Sequence, residues 1–368
     1  MSFHIVKRDH CPLWKKCCFY AGAVLLALLL GGVVLLCMGV DPIAYFTRML
    51  TMGTVGNKIA YKSFENYLKD FVPLVLTSIA LSLAFKMRFW NIGGEGQFIF
   101  GAIAASFVAL QFGPALPQAL TLLLMCLAAM LAAGLYGLLA GVLKVKFGTN
   151  ETLLTLMLNY VALYVLMFFG ETRADWNLFL DPSSQRPVFA KFSSVFPSFP
   201  FIGKFSLNVC VIFVIIIGIL VHLYLKKTKQ GYEINVVGDS ISTARYAGMK
   251  VNKIALRTVF LSASLIGLAG AFKVGTAGIL STAITDDVGW TGIIVAWLAK
   301  FNTGIIFAVS ALICILHYGS TAANATFSQV DSSFANMLQG AILFLVLAAD
   351  FLTRFRIVIV KKGGKDNG

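Results

Sequence analysis

Apolar residues along this 368-residue chain fall in long runs broken by short polar stretches, as in "YAGAVLLALLLGGVVLLC" at residues 20–37. Runs of about 17 to 25 residues match what a helix rising 1.5 Å per residue needs to cross a hydrocarbon core of roughly 30 Å. The pattern predicts ten spans, at 18–40, 71–85, 92–110, 120–143, 152–170, 207–225, 254–272, 288–299, 303–319 and 334–352. Those at 71–85 and 288–299 are short, and such elements persist at membrane depth only when tilted, broken or re-entrant and buried against protein. The expected fold class is all-α: a polytopic integral membrane protein of about ten transmembrane helices.

Composition agrees. The chain is 58% hydrophobic and 12% charged, whereas a soluble domain is about half apolar and about a quarter charged. Its formal charge is +14, and the placement of that charge suggests an orientation, because short cytoplasmic loops carry an excess of Lys and Arg. With the N-terminus inside, ten spans leave both termini cytoplasmic. The inner segments then hold Lys7, Arg8, Lys15, Lys16, Lys86, Arg88, Lys144, Lys146, the basic cluster from Lys226 to Arg257, Lys300, and the tail from Arg354 to Lys365. These are 21 of the 30 basic residues, and the nine on the outer side are matched by nine acidic ones. The basic balance therefore reports orientation and contact with anionic lipid, not nucleic-acid binding.

On this layout residues 1–17 form a cytoplasmic tail, 18–352 the transmembrane domain and 353–368 a basic cytoplasmic tail. No small-x-small cleavage pattern follows the first span, which is expected to stay as an anchor. Cys11, Cys17, Cys18, Cys37, Cys126, Cys210 and Cys314 lie in the tail or in spans, so no disulfide framework is implied. The long outer segment 171–206 holds four prolines, Trp176 and many phenylalanines. It reads either as a loop capping the bundle or as a docking surface for an extracytoplasmic partner. The largest inner loop, 226–253, carries a short helical signature: Asp239 or Ser240 as cap, an apolar side from Ile241, Ala244, Tyr246, Ala247 and Met249, and Gly248 as stop. A solvated basic loop on lipid headgroups is the other reading.

Catalytic chemistry is thin. In "WNIGGEGQFIFGAIAASF", residues 90–107, the glycines lack the G-x-G-x-x-G spacing of a dinucleotide loop, and no G-x-x-x-x-G-K-[ST] occurs anywhere. His4, His10, His222 and His317 are scattered, and no clustered Cys/His set suggests a metal. The informative residues are polar groups inside or beside spans, which are costly there and commonly face a bundle interior or an aqueous path. Asn91, Glu95 and Gln97 stand at the start of the third span, and Asn150, Glu151 and Asn159 at the start of the fifth. Two readings stay open: capping and close helix packing, or contact with a transported solute. "WNIGGEGQFIFGAIAA" and "GWTGIIVAWLAK" also share a glycine-rich start to a span, a weak symmetry between the two halves.

Four stretches together carry a resemblance: "FWNIGGEGQFIFGAIAA", "GTNETLLTLMLNY", "GYEINVVGDSISTARYAGMKVNK" followed by "LSASLIGLAGAF", and "GWTGIIVAWLAKFNTGIIFAVSALICILHYGS". Over roughly residues 70 to 350 the chain resembles the permease subunits of bacterial ATP-binding-cassette (ABC) importers of the branched-chain amino acid and simple-sugar class, nearest to the nucleoside permeases. The resemblance implies a cell-membrane transport subunit, not an enzyme, that forms the path for a small solute. A nucleoside is the first expectation, with a simple sugar or branched-chain amino acid as alternative; an ion-coupled carrier using Glu95 or Glu151 is a further one. Implied partners are cytoplasmic ABC ATPase subunits, a second homologous permease, an extracytoplasmic substrate-binding protein and membrane lipid. ATP and Mg are expected on the ATPase, with no cofactor on this chain. The loop matching 231–250 carries the family's coupling helix, which assigns ATPase contact to Asp239, Ser240, Ala244, Arg245, Tyr246, Ala247 and Gly248. The family commonly has glycine, arginine, asparagine and proline where this chain has Asp287, Asn235, Ser240 and Thr303, so the choice of solute is expected to differ within the class.

Overall fold

The computed structural model describes residues 2–7, 12–52, 54, 59–331 and 333–360. Residues 8–11 and 361–368 of the expected tails, Arg8 and Cys11 among them, lie outside the described residues. Described elements in chain order are β1 (Ser2–Lys7), α1 (Leu13–Cys37), α2 (Pro42–Leu50), α3 (Ala60–Lys86), α4 (Gly94–Phe112), α5 (Gln118–Phe147) and α6 (Glu151–Glu171). They continue with β2 (Ser198–Ile202), β3 (Phe205–Asn208), α7 (Val209–Lys227), α8 (Lys229–Asp239), α9 (Ile241–Tyr246), α10 (Val251–Ala277), α11 (Val288–Leu298), α12 (Thr303–Asn324), α13 (Ser333–Arg354) and β4 (Phe355–Val360). Among the described residues, nine helices are long and apolar enough to cross a membrane, and α11, with 11 residues, is a tenth, shorter apolar helix.

The chain divides into two compact units, Met1–Asn57 with Ile315–Gly368, and Lys58–Cys314. In the first, α1, α2, α13 and the end of α12 close on a core of Leu35, Val40, Tyr45, Met49, Ala323, Val330, Phe334 and Leu338. Tyr45 is fully buried there, and its hydroxyl is satisfied by Ser320 Oγ at 2.7 Å and by donating to Asn324 Oδ1 at 2.9 Å. The sequence reading treated both ends as tails, but their β-branched runs pair: Ser2–Lys7 lies antiparallel to Phe355–Val360.

In the second unit, α3, α4 and α10 form the centre. Their apolar windows are 78%, 61% and 72% buried, against 28% for α6 and α7, whose remaining apolar faces suit lipid. Backbones touch where glycines allow it: a Cβ on Gly101 of α4 would strike the main chain of Gly267 in α10. The span expected at 71–85 is a helix of 27 residues beginning at Ala60. Lys62, Glu65, Lys69 and Asp70 break its apolar run, yet two of these charges are held: Asp70 pairs with Lys273 Nζ at 2.6 Å, and Glu65 accepts from Ser206 N at 2.7 Å and Oγ at 2.8 Å. The 226–253 loop is also more ordered than a single short helix. It holds α8 and then α9, because Gly231 and Gly238 let α8 lie directly on the main chain of Leu225 and Lys86.

Candidate functional site: two helix starts meeting inside the bundle

After α3 ends at Lys86, residues 87–93 form no regular structure, yet Met87, Phe89, Asn91 and Gly93 are buried. The chain has turned back into the bundle, and depth follows from contacts. Gly96 meets Asn159, eight residues into α6, and Gln97 lies against Gly137, ten residues before the end of α5. At 1.5 Å per residue α4 therefore starts about 12 to 15 Å inside the end where α5 stops and α6 begins. From the opposite end a second irregular stretch descends. Phe192 N binds Gly278 O at 3.0 Å and Lys191 bridges to Ile279, after which Ile284 is buried among Ile99, Ala102, Ala162 and Leu166. There α11 begins, and it runs beside α3, with Gly292 against Thr77 and Leu81 and Trp297 reaching Phe85. Irregular backbone at this depth is tolerated because protein buries it.

The two glycine-rich starts meet each other. A Cβ on Gly289 would strike Glu95 N and lie 2.8 Å from Gly94 C, so the N-termini of α4 and α11 touch through their main chains. Glu95, 7% exposed, accepts from Gly289 N at 3.0 Å and Trp290 N at 3.4 Å, with Thr285 as a further side-chain partner. Its carboxylate thus serves the first turn of α11, where anionic oxygen is favoured.

The carboxamides hold the re-entrant segment. Asn91 and Gln97 exchange two side-chain bonds of 3.0 Å, and Asn91 Oδ1 also accepts from Gly93 N at 3.1 Å. Asn159 Oδ1 accepts from Gly96 N at 2.8 Å while its Nδ2 donates to Ile92 O at 2.9 Å, and Thr155 Oγ1 accepts from Ile92 N at 3.1 Å. Asn91, Glu95, Gln97 and Asn159 are therefore brought together. Asn150 and Glu151 are not part of that group: Asn150 caps α6 by accepting from Thr152 N at 3.0 Å and Leu153 N at 3.3 Å, and Glu151 pairs with Lys144 at 2.7 Å.

The expected coupling helix at 239–249 is shorter, Ile241–Tyr246, and Asp239 closes α8 instead of capping it. Ser240 supplies the cap, accepting from Thr243 N at 3.2 Å, and Gly248 follows with φ +74°. Ala244 is fully buried, Arg245 and Ala247 are exposed, and Tyr246 is 97% exposed.

Residues 63–347 match the family described as branched-chain amino acid transport system / permease component. The chain belongs to that permease family. Similar proteins include the nucleoside ABC transporter permease protein NupB of Lactococcus lactis subsp. cremoris, 26% identical over 88% of this chain and 88% of its own. The guanosine ABC transporter permease protein NupP of Bacillus subtilis is 28% identical over 93% and 96%, and the glucose ABC transporter permease protein TsgB13 of Haloferax volcanii 27% over 95% and 91%. This permease is accordingly a multi-pass cell-membrane protein and a transport component of an ABC importer, a system that also includes an ATPase and a substrate-binding protein. Sequence reasoning missed Trp90, Thr155, Thr285 and Trp290; glycines beside the two tryptophans were a visible signal, and nothing local marked the two threonines.

Proposed function

We propose that this permease forms the translocation path for a nucleoside, driven by ATP and Mg bound on partner ATPase subunits. The observation that carries the reading is the glycine-crossed pair of helix starts: its carboxylate and carboxamides are engaged by main chain and by one another, and α11 beside them bears Trp290, 40% exposed. Aromatic faces suit a neutral solute with a planar ring, because stacking needs no fixed counter-charge. The nucleoside and guanosine relatives, similar along nearly their whole length, support the same choice. In this proposal Asn91, Glu95, Gln97 and Asn159 fix the wall of the path, and Asn150 and Glu151 secure the start of α6. A simple sugar is the second reading, favoured by the glucose relative.

The proposed ATPase contact is the Ser240–Gly248 turn, whose exposed Arg245 and Tyr246 project from a buried Ala244. A second homologous permease is proposed to complete the path. Uptake of labelled nucleosides and pentoses by cells carrying the complete operon, compared with this gene deleted, tests the solute. Loss of nucleoside uptake alone is expected, and loss of pentose uptake alone moves the assignment to sugar. In the same cells Arg245→Ala/Tyr246→Ala is expected to abolish ATP-driven uptake; unchanged uptake removes the contact assignment.

A further inference from the structure

Among the described residues, six that are not glycine have positive φ: Met52, Arg88, Asp286, Asp287, Lys300 and Phe301. Four of them bracket α11. Asp286 and Asp287, at +47° and +55°, precede it, and Lys300 and Phe301, at +49° and +58°, follow it. Left-handed backbone is strained for side chains larger than glycine, and Lys and Phe lack the local tolerance that Asp has. Two consecutive strained residues at each end of one 11-residue helix concentrate the strain on its junctions, and strain of this kind gathers at switch regions. Hinges are a few terminal positions that absorb a large change in φ and ψ.

The middle of α11 is buried at Gly292, Val295 and Ala296, and hydrogen bonds and ring contacts hold its two ends. At its start are the two main-chain bonds to Glu95. At its far end the Trp297 ring stacks on Trp90 of the re-entrant segment, with centroids 5.2 Å apart and planes 11° from parallel. Phe85 and Phe301 complete that cluster, Phe301 lying 5.6 Å from Trp297 and 5.9 Å from Phe85. Glycines 289 and 292 bring the main chain of α11 close to α4 and α3, and the other buried side chains of this helix, Val288, Val295 and Ala296, are small.

We propose that α11 is the moving wall of the translocation path: it swings on the junctions at 286–287 and 300–301, and the Trp90–Trp297 stack is the catch that holds it in the present position. The inference rests on the permease function and goes beyond it by naming the element that moves. Differential stabilisation of two positions by the ATPase cycle would then open and close the path.

The test uses the assembled complex in proteoliposomes. Wild-type complex is first shown to import; if it imports neither nucleoside nor sugar, the functional reading fails and the gate is not at issue. Trp90→Cys/Trp297→Cys is then bridged with a short dithiothreitol-cleavable thiol cross-linker, with each single variant treated alike. Bridging is expected to lower uptake about tenfold, as gating steps that limit turnover do, and cleavage should restore it to the level of the unbridged double variant. Equal uptake by bridged and cleaved forms overturns the proposal. In case the double variant does not assemble, hydrogen exchange is measured on wild-type complex with and without vanadate-trapped nucleotide. Amides of 286–301 are expected to change protection by about tenfold while those of 251–277 do not, and unchanged exchange in 286–301 overturns the proposal equally.

Discussion

Glu95 and Glu151 occupy the same position in the sequence grammar of a helix, the first turn, and they end with different duties. Glu151 is dealt with locally: its own helix is capped by Asn150, and its carboxylate pairs with Lys144, whose side chain is 39% exposed. Glu95 sits at a helix start whose N-cap residue, Gly93, has no side chain to offer, and it serves Gly289 and Trp290, 194 and 195 residues further along. Depth makes the difference. Near a wet end water finishes what side chains leave undone, whereas inside the bundle other elements must do so: Glu95 of α4 serves the start of α11, and Asn159 of α6 serves Gly96 N in the first turn of α4.

The sharpest way to break this comparison is steric. Gly289→Ala places a methyl group against Glu95 N and Gly94 C, where only main chain can yield. We expect assembly with the ATPase to fall to background, measured as co-purified subunit. Gly148→Ala, at an open position with φ +67°, is expected to cost about 1 kcal/mol and to leave assembly intact. Equal yields from the two variants would mean that the crossing of the α4 and α11 starts is not a constraint.

Next in size is Glu95 itself. Glu95→Ala strands two main-chain N–H groups, at about 1 to 3 kcal/mol for each buried donor left unpaired, and should lower the thermal midpoint of the detergent-solubilised complex. Glu95→Gln keeps an acceptor oxygen and should recover most of that loss. Abolished uptake by an intact Glu95→Gln complex would instead assign the charge a role in the path.

These contacts also mark how far the sequence could be read. The spans were legible because lipid demands long apolar runs, and Asn150 was legible as a cap because a cap is a local device. Glycines 93, 94 and 96 were visible as close-approach residues, and Gly289 and Gly292 only as a glycine-rich start to a span; their partners were not visible, since nothing local couples position 95 to position 289. The start of α3 was hidden by Lys62, Glu65, Lys69 and Asp70, two of which are held by Lys273 and Ser206 from distant segments. Asp287 stood out where glycine is common, and its left-handed φ of +55° gives the physical reason for that preference.

Asn159 and Asn150 give a gentler contrast between the same two regions. Asn159→Ala removes the partners of Gly96 N and Ile92 O in a buried site, so a loss of about 2 to 4 kcal/mol is expected for two stranded groups. Asn150→Ala removes a cap on an exposed helix start and should cost about 1 kcal/mol. Denaturation of the two purified variants in parallel compares them directly.

The smallest effect should come from the ion pair. Glu151→Gln leaves the cap at Asn150 untouched and removes a pair whose ammonium is partly in solvent, where such pairs contribute about 0 to 1 kcal/mol and are screened by salt. Its effect should therefore shrink as salt is raised from about 0.05 to 0.5 M, while that of Glu95→Ala, set by main-chain donors shielded from ions, should not. A Glu151→Gln loss that matches Glu95→Ala and persists in salt would show that the end of α6 is as tightly constrained as the crossing, and depth would then no longer explain why the two glutamates differ.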